Sequence, residues 1–192
     1  DAPSRLAPDC LMLILAGADI VCTDRVVTRG TVVIEGQRIL EVRHDDLSGS
    51  ASDVRVDLAG CYLLPGFIDV HVHGVAAHDV LDGPAAVPSI AGKLPRYGVT
   101  AFCPTTVACT PERLRMVLAA VQAARVSPKP GSARVLPAHL ESNFINPEYR
   151  GAQPVECLRR PPQPGALGRP AASGQASAQG YEGPILGANP GR

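Results

Sequence analysis

The chain has 192 residues, with 18 basic and 18 acidic side chains and a formal net charge of zero. That balance excludes the basic footprint of a nucleic-acid binder and the charge block of an acidic or basic tail. Aromatic residues make up only 4% and tryptophan is absent, so a core must be built from Val, Leu, Ile and Ala.

The apolar run at residues 10–16 is too short to span a bilayer. It has neither a basic leader nor a cleavage signal, so it makes a poor secretion signal. The expectation is a soluble, cytoplasmic protein. The chain opens on Asp1 rather than Met, which leaves its natural N-terminus open. Residues 11–64 read as short strands at 11–16, 19–23, 31–35, 39–43 and 54–58, with Gly36-Gln37 as a hairpin turn. Strands so short and closely spaced predict antiparallel pairing in a small sheet or β-sandwich.

After Pro65-Gly66 the rhythm changes. Residues 67–73 read as a buried strand, 87–97 as a helix disturbed near its end by Pro95, and 99–104 as a second apolar strand. The clearest helix follows. Thr110 can cap it, Pro111 suits the first helical position, and Glu112 suits the positive end of the dipole. Leu114, Val117, Leu118 and Val121 then form one apolar stripe. Residues 127–131 end that helix, and 134–141 read as a third strand. The β-α-β-α-β order predicts a parallel sheet with right-handed crossovers, an α/β fold. Residues 161–192 are rich in Pro and Gly and show no periodicity, so they are predicted to be irregular or disordered. The domain reading is therefore 1–64, 65–160 and 161–192.

Six cysteines (Cys10, Cys22, Cys61, Cys103, Cys109 and Cys157) show no CxxC spacing, and several sit in apolar runs. They read as reduced, structural thiols. Walker, GxSxG and GxGxxG motifs are all missing.

Two clusters carry chemistry. In the strand at 67–73, side-chain alternation sets Asp69, His71 and His73 on one face and Ile68, Val70 and Val72 on the other. Two imidazoles and a carboxylate among apolar residues are costly to bury without a partner, and a divalent metal would satisfy them together. The alternative is a pair of ordinary exposed or hydrogen-bonded histidines. The second cluster is His139-Leu140-Glu141, at the carboxyl end of the third strand. Sites in parallel α/β folds collect at such ends. Glu141 is either a carboxylate ligand beside the imidazoles or a solvated acid. Thr105-Thr106 ends the second strand and suits an outer hydrogen bond or a turn cap. The polar loop 143–153 lies where a substrate would sit, or is a generic surface loop.

These segments together carry a family resemblance. Leu58-Ala59-Gly60 with Leu64-Pro65-Gly66-Phe67-Ile68-Asp69-Val70-His71-Val72-His73-Gly74 resembles the amidohydrolase superfamily. Its members are metal-dependent hydrolases on a (β/α)8 barrel with a small β-sandwich. Gly98-Val99-Thr100-Ala101-Phe102-Cys103-Pro104-Thr105-Thr106, His139-Leu140-Glu141 and Phe144-Ile145-Asn146-Pro147-Glu148 narrow the likeness to the N-acetylglucosamine-6-phosphate deacetylases.

The resemblance implies an N-terminal β-sandwich portion followed by the first βα units of an incomplete barrel. It implies His71, His73 and Glu141 as ligands of a divalent ion, zinc, iron or similar, and an amino-sugar phosphate whose acetamide is hydrolysed. It departs from the family at two places. Ser142-Asn143 stands where Gly-Pro is usual, and Gln153 stands where the family has a sugar-binding His. Asn143 and Gln153 are accordingly the expected substrate-binding positions. A (β/α)8 barrel needs about 250 residues, and the late-strand histidines and general-acid Asp of the family have no counterpart. The expectation is an N-terminal part of such an enzyme. A non-catalytic fragment, or a hydrolase of another cyclic amide or N-acyl substrate, is the alternative. A small-molecule partner is expected, with no nucleic acid and no membrane; homo-oligomerisation is open.

Overall fold

The computed structural model describes residues 11–47, 50, 52–141 and 143–160. Cys10 and the predicted irregular tail at 161–192 lie outside the described residues. The chain divides into two compact units between Pro65 and Gly66.

The first unit is one five-stranded sheet. Its strands are β1 (Met12–Val21), β2 (Val26–Glu35), β3 (Arg38–Arg43), β4 (Val54–Asp57) and β5 (Tyr62–Leu63). The two strands expected at 11–16 and 19–23 are one continuous strand, β1. It absorbs register shifts on either side of Ala18. Ile14, Ala16, Ala18 and Ile20 all face inward, the period-2 signature of a half-buried strand. The hairpins β1–β2 and β2–β3 are antiparallel, as the spacing predicts, and the second turns at Gly36. Antiparallel pairing does not extend to the rest. β4 and β5 both run parallel to β1, because the chain after β3 crosses to the far side of β1 instead of folding back on β3. Val27 and Val32 pack with Ile20 as the centre of the unit's core.

In the second unit, β6 (Phe67–Val72) leads into a short hairpin of β7 (Gly74–Val75) and β8 (His78–Asp79). Helix α1 (Ala86–Lys93) follows, tightening into a 3-10 turn over Leu94–Tyr97 around Pro95. Gly98, at φ 76°, closes that turn in the left-handed conformation and releases the chain into β9 (Val99–Thr106). Helix α2 (Pro111–Val126) starts as its sequence dictates. Thr110 Oγ1 accepts from the Arg113 amide, Pro111 takes the first position, and Val117, Ala120 and Val121 turn inward.

The expected strand at 134–141 is interrupted. β10 (Arg134–Val135) and β11 (His139–Leu140) both pair parallel with β9, but Pro137 between them has no amide to contribute to the ladder. β9 is thus the central strand, with β6 parallel on one side and β10 and β11 on the other. The result is a mixed α/β fold in which Phe102, fully buried, packs among Val87, Ile90, Val117, Val121 and Val135.

β6 is not the buried strand its apolar sequence suggests. Phe67, Ile68 and Val70 are more than half exposed, and only Val72 enters the core. Among the described residues β6 pairs with β9 alone, so its outer edge is uncovered.

Candidate metal centre

Three segments meet at the carboxyl end of the parallel strands. His71 lies near the end of β6 and His73 just beyond it, with Val72 between them anchored in the core. The fully buried Thr105 on β9 sets that anchor. Its Oγ1 accepts the Val72 amide at 2.9 Å, and its carbonyl lies 3.1 Å from His73 Nδ1. β11 pairs with the same stretch of β9, His139 opposite Thr105 and Leu140 opposite Thr106. That pairing delivers Glu141 to the two histidines.

The donor atoms converge closely. His71 Nε2 and His73 Nε2 are 3.0 Å apart, and Glu141 Oε2 lies 3.3 Å from the first and 3.1 Å from the second. Two ligands bound at about 2.0–2.1 Å in tetrahedral geometry stand about 3.3 Å apart. The observed spacings would suit three donors around a single small cation, and they equally suit a hydrogen bond between the rings and ion pairs to the carboxylate. A carbonyl oxygen only accepts, so His73 Nδ1 carries the hydrogen donated to Thr105, and in the neutral ring Nε2 is the nitrogen left with a lone pair. Metal-binding histidines are typically oriented by such a backbone carbonyl. All three side chains are partly open to solvent, so an ion and a water have access.

Asp69 and His139, expected on the same faces, stand outside this convergence. Asp69 Oδ1 turns back to accept the His71 amide at 3.1 Å, as the β6–β9 register shifts between Asp69 and Val72. His139 donates from Nδ1 to the Val70 carbonyl at 2.9 Å and sets its ring edge-on to His71, centroids 4.8 Å apart.

The two loop residues are buried and engaged. Asn143 Nδ2 donates to the Cys109 carbonyl at 2.7 Å and the Cys157 carbonyl at 2.5 Å, tying the β9–α2 loop to the 155–157 turn. Gln153 Oε1 accepts the Ala108 amide at 2.6 Å, and its Nε2 donates to Glu141 Oε1, also at 2.6 Å. Sequence reasoning missed the Gln153–Glu141 contact, since nothing in local spacing reports how the 143–153 loop closes. Cys22, Cys61, Cys103, Cys109 and Cys157 are all free thiols. Burial, reinforced by neighbouring Cys157, pushes the Cys109 thiol up.

No family model matches the chain. Among curated proteins, the mouse N-acetylglucosamine-6-phosphate deacetylase is 37% identical over 153 residues, 76% of this chain and 35% of the mouse protein. The Bacillus subtilis deacetylase of the same name is 32% identical over 152 residues, 77% of this chain and 38% of that protein. Among solved structures, the Thermotoga maritima N-acetylglucosamine-6-phosphate deacetylase superposes with a TM-score of 0.64 at 28% identity, covering 79% of this chain and 38% of that one. The chain thus spans little more than a third of the length of the relatives it matches. Over about three quarters of its own length, it is similar to the N-acetylglucosamine-6-phosphate deacetylases of the amidohydrolase family.

Proposed function

We propose that the chain carries one wall of a metal-dependent deacetylase site, with His71, His73 and Glu141 as ligands of one divalent ion, and that β6, α1, β9, α2, β10 and β11 are the opening βα units of a (β/α)8 barrel. The observation that carries this is the convergence of two imidazole nitrogens and one carboxylate oxygen at 3.0–3.3 Å, with His73 Nδ1 held on the Thr105 carbonyl so that Nε2 points at the other two donors. The named activity of the relatives supports an N-acetylated amino-sugar phosphate as substrate.

A divalent ion at this place would polarise the acetamide carbonyl and acidify a water. The protein's own part is orientation. Thr105 fixes the height of β6 and the tilt of His73. Val72 holds the strand in the core while the two histidines project outward. Asn143 and Gln153 shape the loop beside the site, their amides already committed to backbone carbonyls and to Glu141.

The direct test is acetate release from N-acetylglucosamine 6-phosphate, with zinc or iron supplied, by this chain and by the longest form available. Release that is abolished in His71→Asn and Glu141→Gln supports the reading. Absence of both bound metal and turnover in the longest form overturns it. A second reading, that the 192-residue chain binds metal without turning over, is favoured by exposed Phe67, Ile68 and Val70 on an uncovered strand. Turnover by the chain alone would eliminate that reading.

A further inference from the structure

We infer that Gln153 is a positioning residue for Glu141, dividing the work of that carboxylate so that Oε1 is held by the protein and Oε2 alone is presented to the ion. The inference rests on the reading of Glu141 as a metal ligand. Gln153 is buried, with 5% of its surface exposed, and both ends of its amide are used. Oε1 takes the Ala108 amide, which fixes which end is the donor and aims Nε2 at Glu141 Oε1. The backbone around it is pinned as well. The Gln153 amide donates to the Arg150 carbonyl at 3.1 Å, and the Arg150 guanidinium donates to the Gln153 carbonyl at 2.8 Å.

The other carboxylate oxygen, Oε2, faces both imidazoles. A carboxylate held this way is restrained from rotating into two-oxygen ligation, so it should bind through one oxygen. The choice of an amide matters. A guanidinium or ammonium at the same place would neutralise the carboxylate and weaken its pull on a cation. A neutral amide orients it and leaves its charge for the ion. Gln153 also joins the β9–α2 loop at Ala108 to the segment after β11, so the ligand's orientation depends on that loop closure.

The test is titration of the 192-residue chain with Co2+, read by its visible absorption, for the wild type, Gln153→Met, Gln153→Asn and Glu141→Gln. The Met variant keeps the length and removes the donor; the Asn variant keeps the amide and withdraws it by one methylene. Melting of each metal-free protein is recorded alongside. Removing an outer partner of a metal ligand costs about ten- to a hundredfold in affinity. Both Gln153 variants should show that loss and an altered Co2+ spectrum, even where metal-free melting is close to wild type. If one variant fails to fold, the other gives the same readout. Wild-type affinity and spectrum in a folded Gln153 variant, with binding lost in Glu141→Gln, would overturn the role of Gln153 and leave the metal reading standing. A wild-type chain that binds no Co2+ would bring down both.

Discussion

Replacing Thr105 with Val tests how the fold holds its two histidines. The side chain is fully buried, and its hydroxyl accepts the Val72 amide at 2.9 Å while donating to the Cys103 carbonyl at 3.0 Å. Valine has the same shape but leaves the Val72 N–H buried without a partner, a cost of about 1–3 kcal/mol. The added methyl returns somewhat less than about 1 kcal/mol of apolar burial. The net expectation is a loss of about 1–2 kcal/mol, or about 2–8 °C in melting temperature for a protein of this size.

The same change loosens the register of β6 against β9, so zinc should stabilise the variant less than the wild type. A ligand at a hundred times its dissociation constant adds about 2.7 kcal/mol, and a tenfold loss of affinity removes about half of that. Thermal melts followed by circular dichroism, with and without zinc, measure both effects. Stability within about 0.5 kcal/mol of wild type, together with an undiminished zinc-induced shift, would show that the Thr105 hydroxyl does not hold β6 in place.

Three further outcomes follow from the same geometry. Ala76 and Ala77 sit at φ 50° and 61° in the hairpin just after His73, a primed turn that glycine fits without strain. Ala76→Gly should therefore stabilise the protein by about 1 kcal/mol in urea titration, and unchanged or lower stability would count against the strain. Gly74→Ala should have the opposite effect, because a Cβ there would overlap the His78 backbone carbonyl. A loss of about 2 kcal/mol or more is expected, with weaker zinc binding, and a neutral outcome would contradict the packing. For Cys109, burial raises the thiol pKa, so the folded protein keeps a proton that the unfolded chain gives up. Its contribution is complete below the unfolded thiol value and is lost as pH rises above about 8.5. Cys109→Ala should flatten the fall in stability between about pH 8 and 10, and an identical slope would show that the thiol is not the source.

The parts of the fold that were legible in the sequence are those set by local chemistry. The Thr110-Pro111-Glu112 start of α2, the Gly36 turn and the apolar run of β9 each follow from a few adjacent residues. Pairing partners were less legible. β4 and β5 carry no mark saying that they lie parallel to β1, because that depends on where the β3–β4 connection crosses. Nor does the apolar composition of β6 reveal that its outer edge is uncovered. At the site, the HxH spacing and the strand-end Glu141 bring the three donor residues within view. By alternation alone, Asp69 is equivalent to the histidines. The register shift in β6 turned it to its own backbone instead. The bond from Gln153 to Glu141 spans a loop whose path no periodicity encodes.

Whether His71, His73 and Glu141 share one ion is read from anomalous diffraction at the zinc absorption edge, on crystals grown with zinc. A shared ion gives a single peak about 2.0–2.2 Å from the Nε2 atoms of both histidines and from Glu141 Oε2, with Oε1 still on Gln153. A peak that engages other residues, or none at this place with zinc in excess, would contradict it.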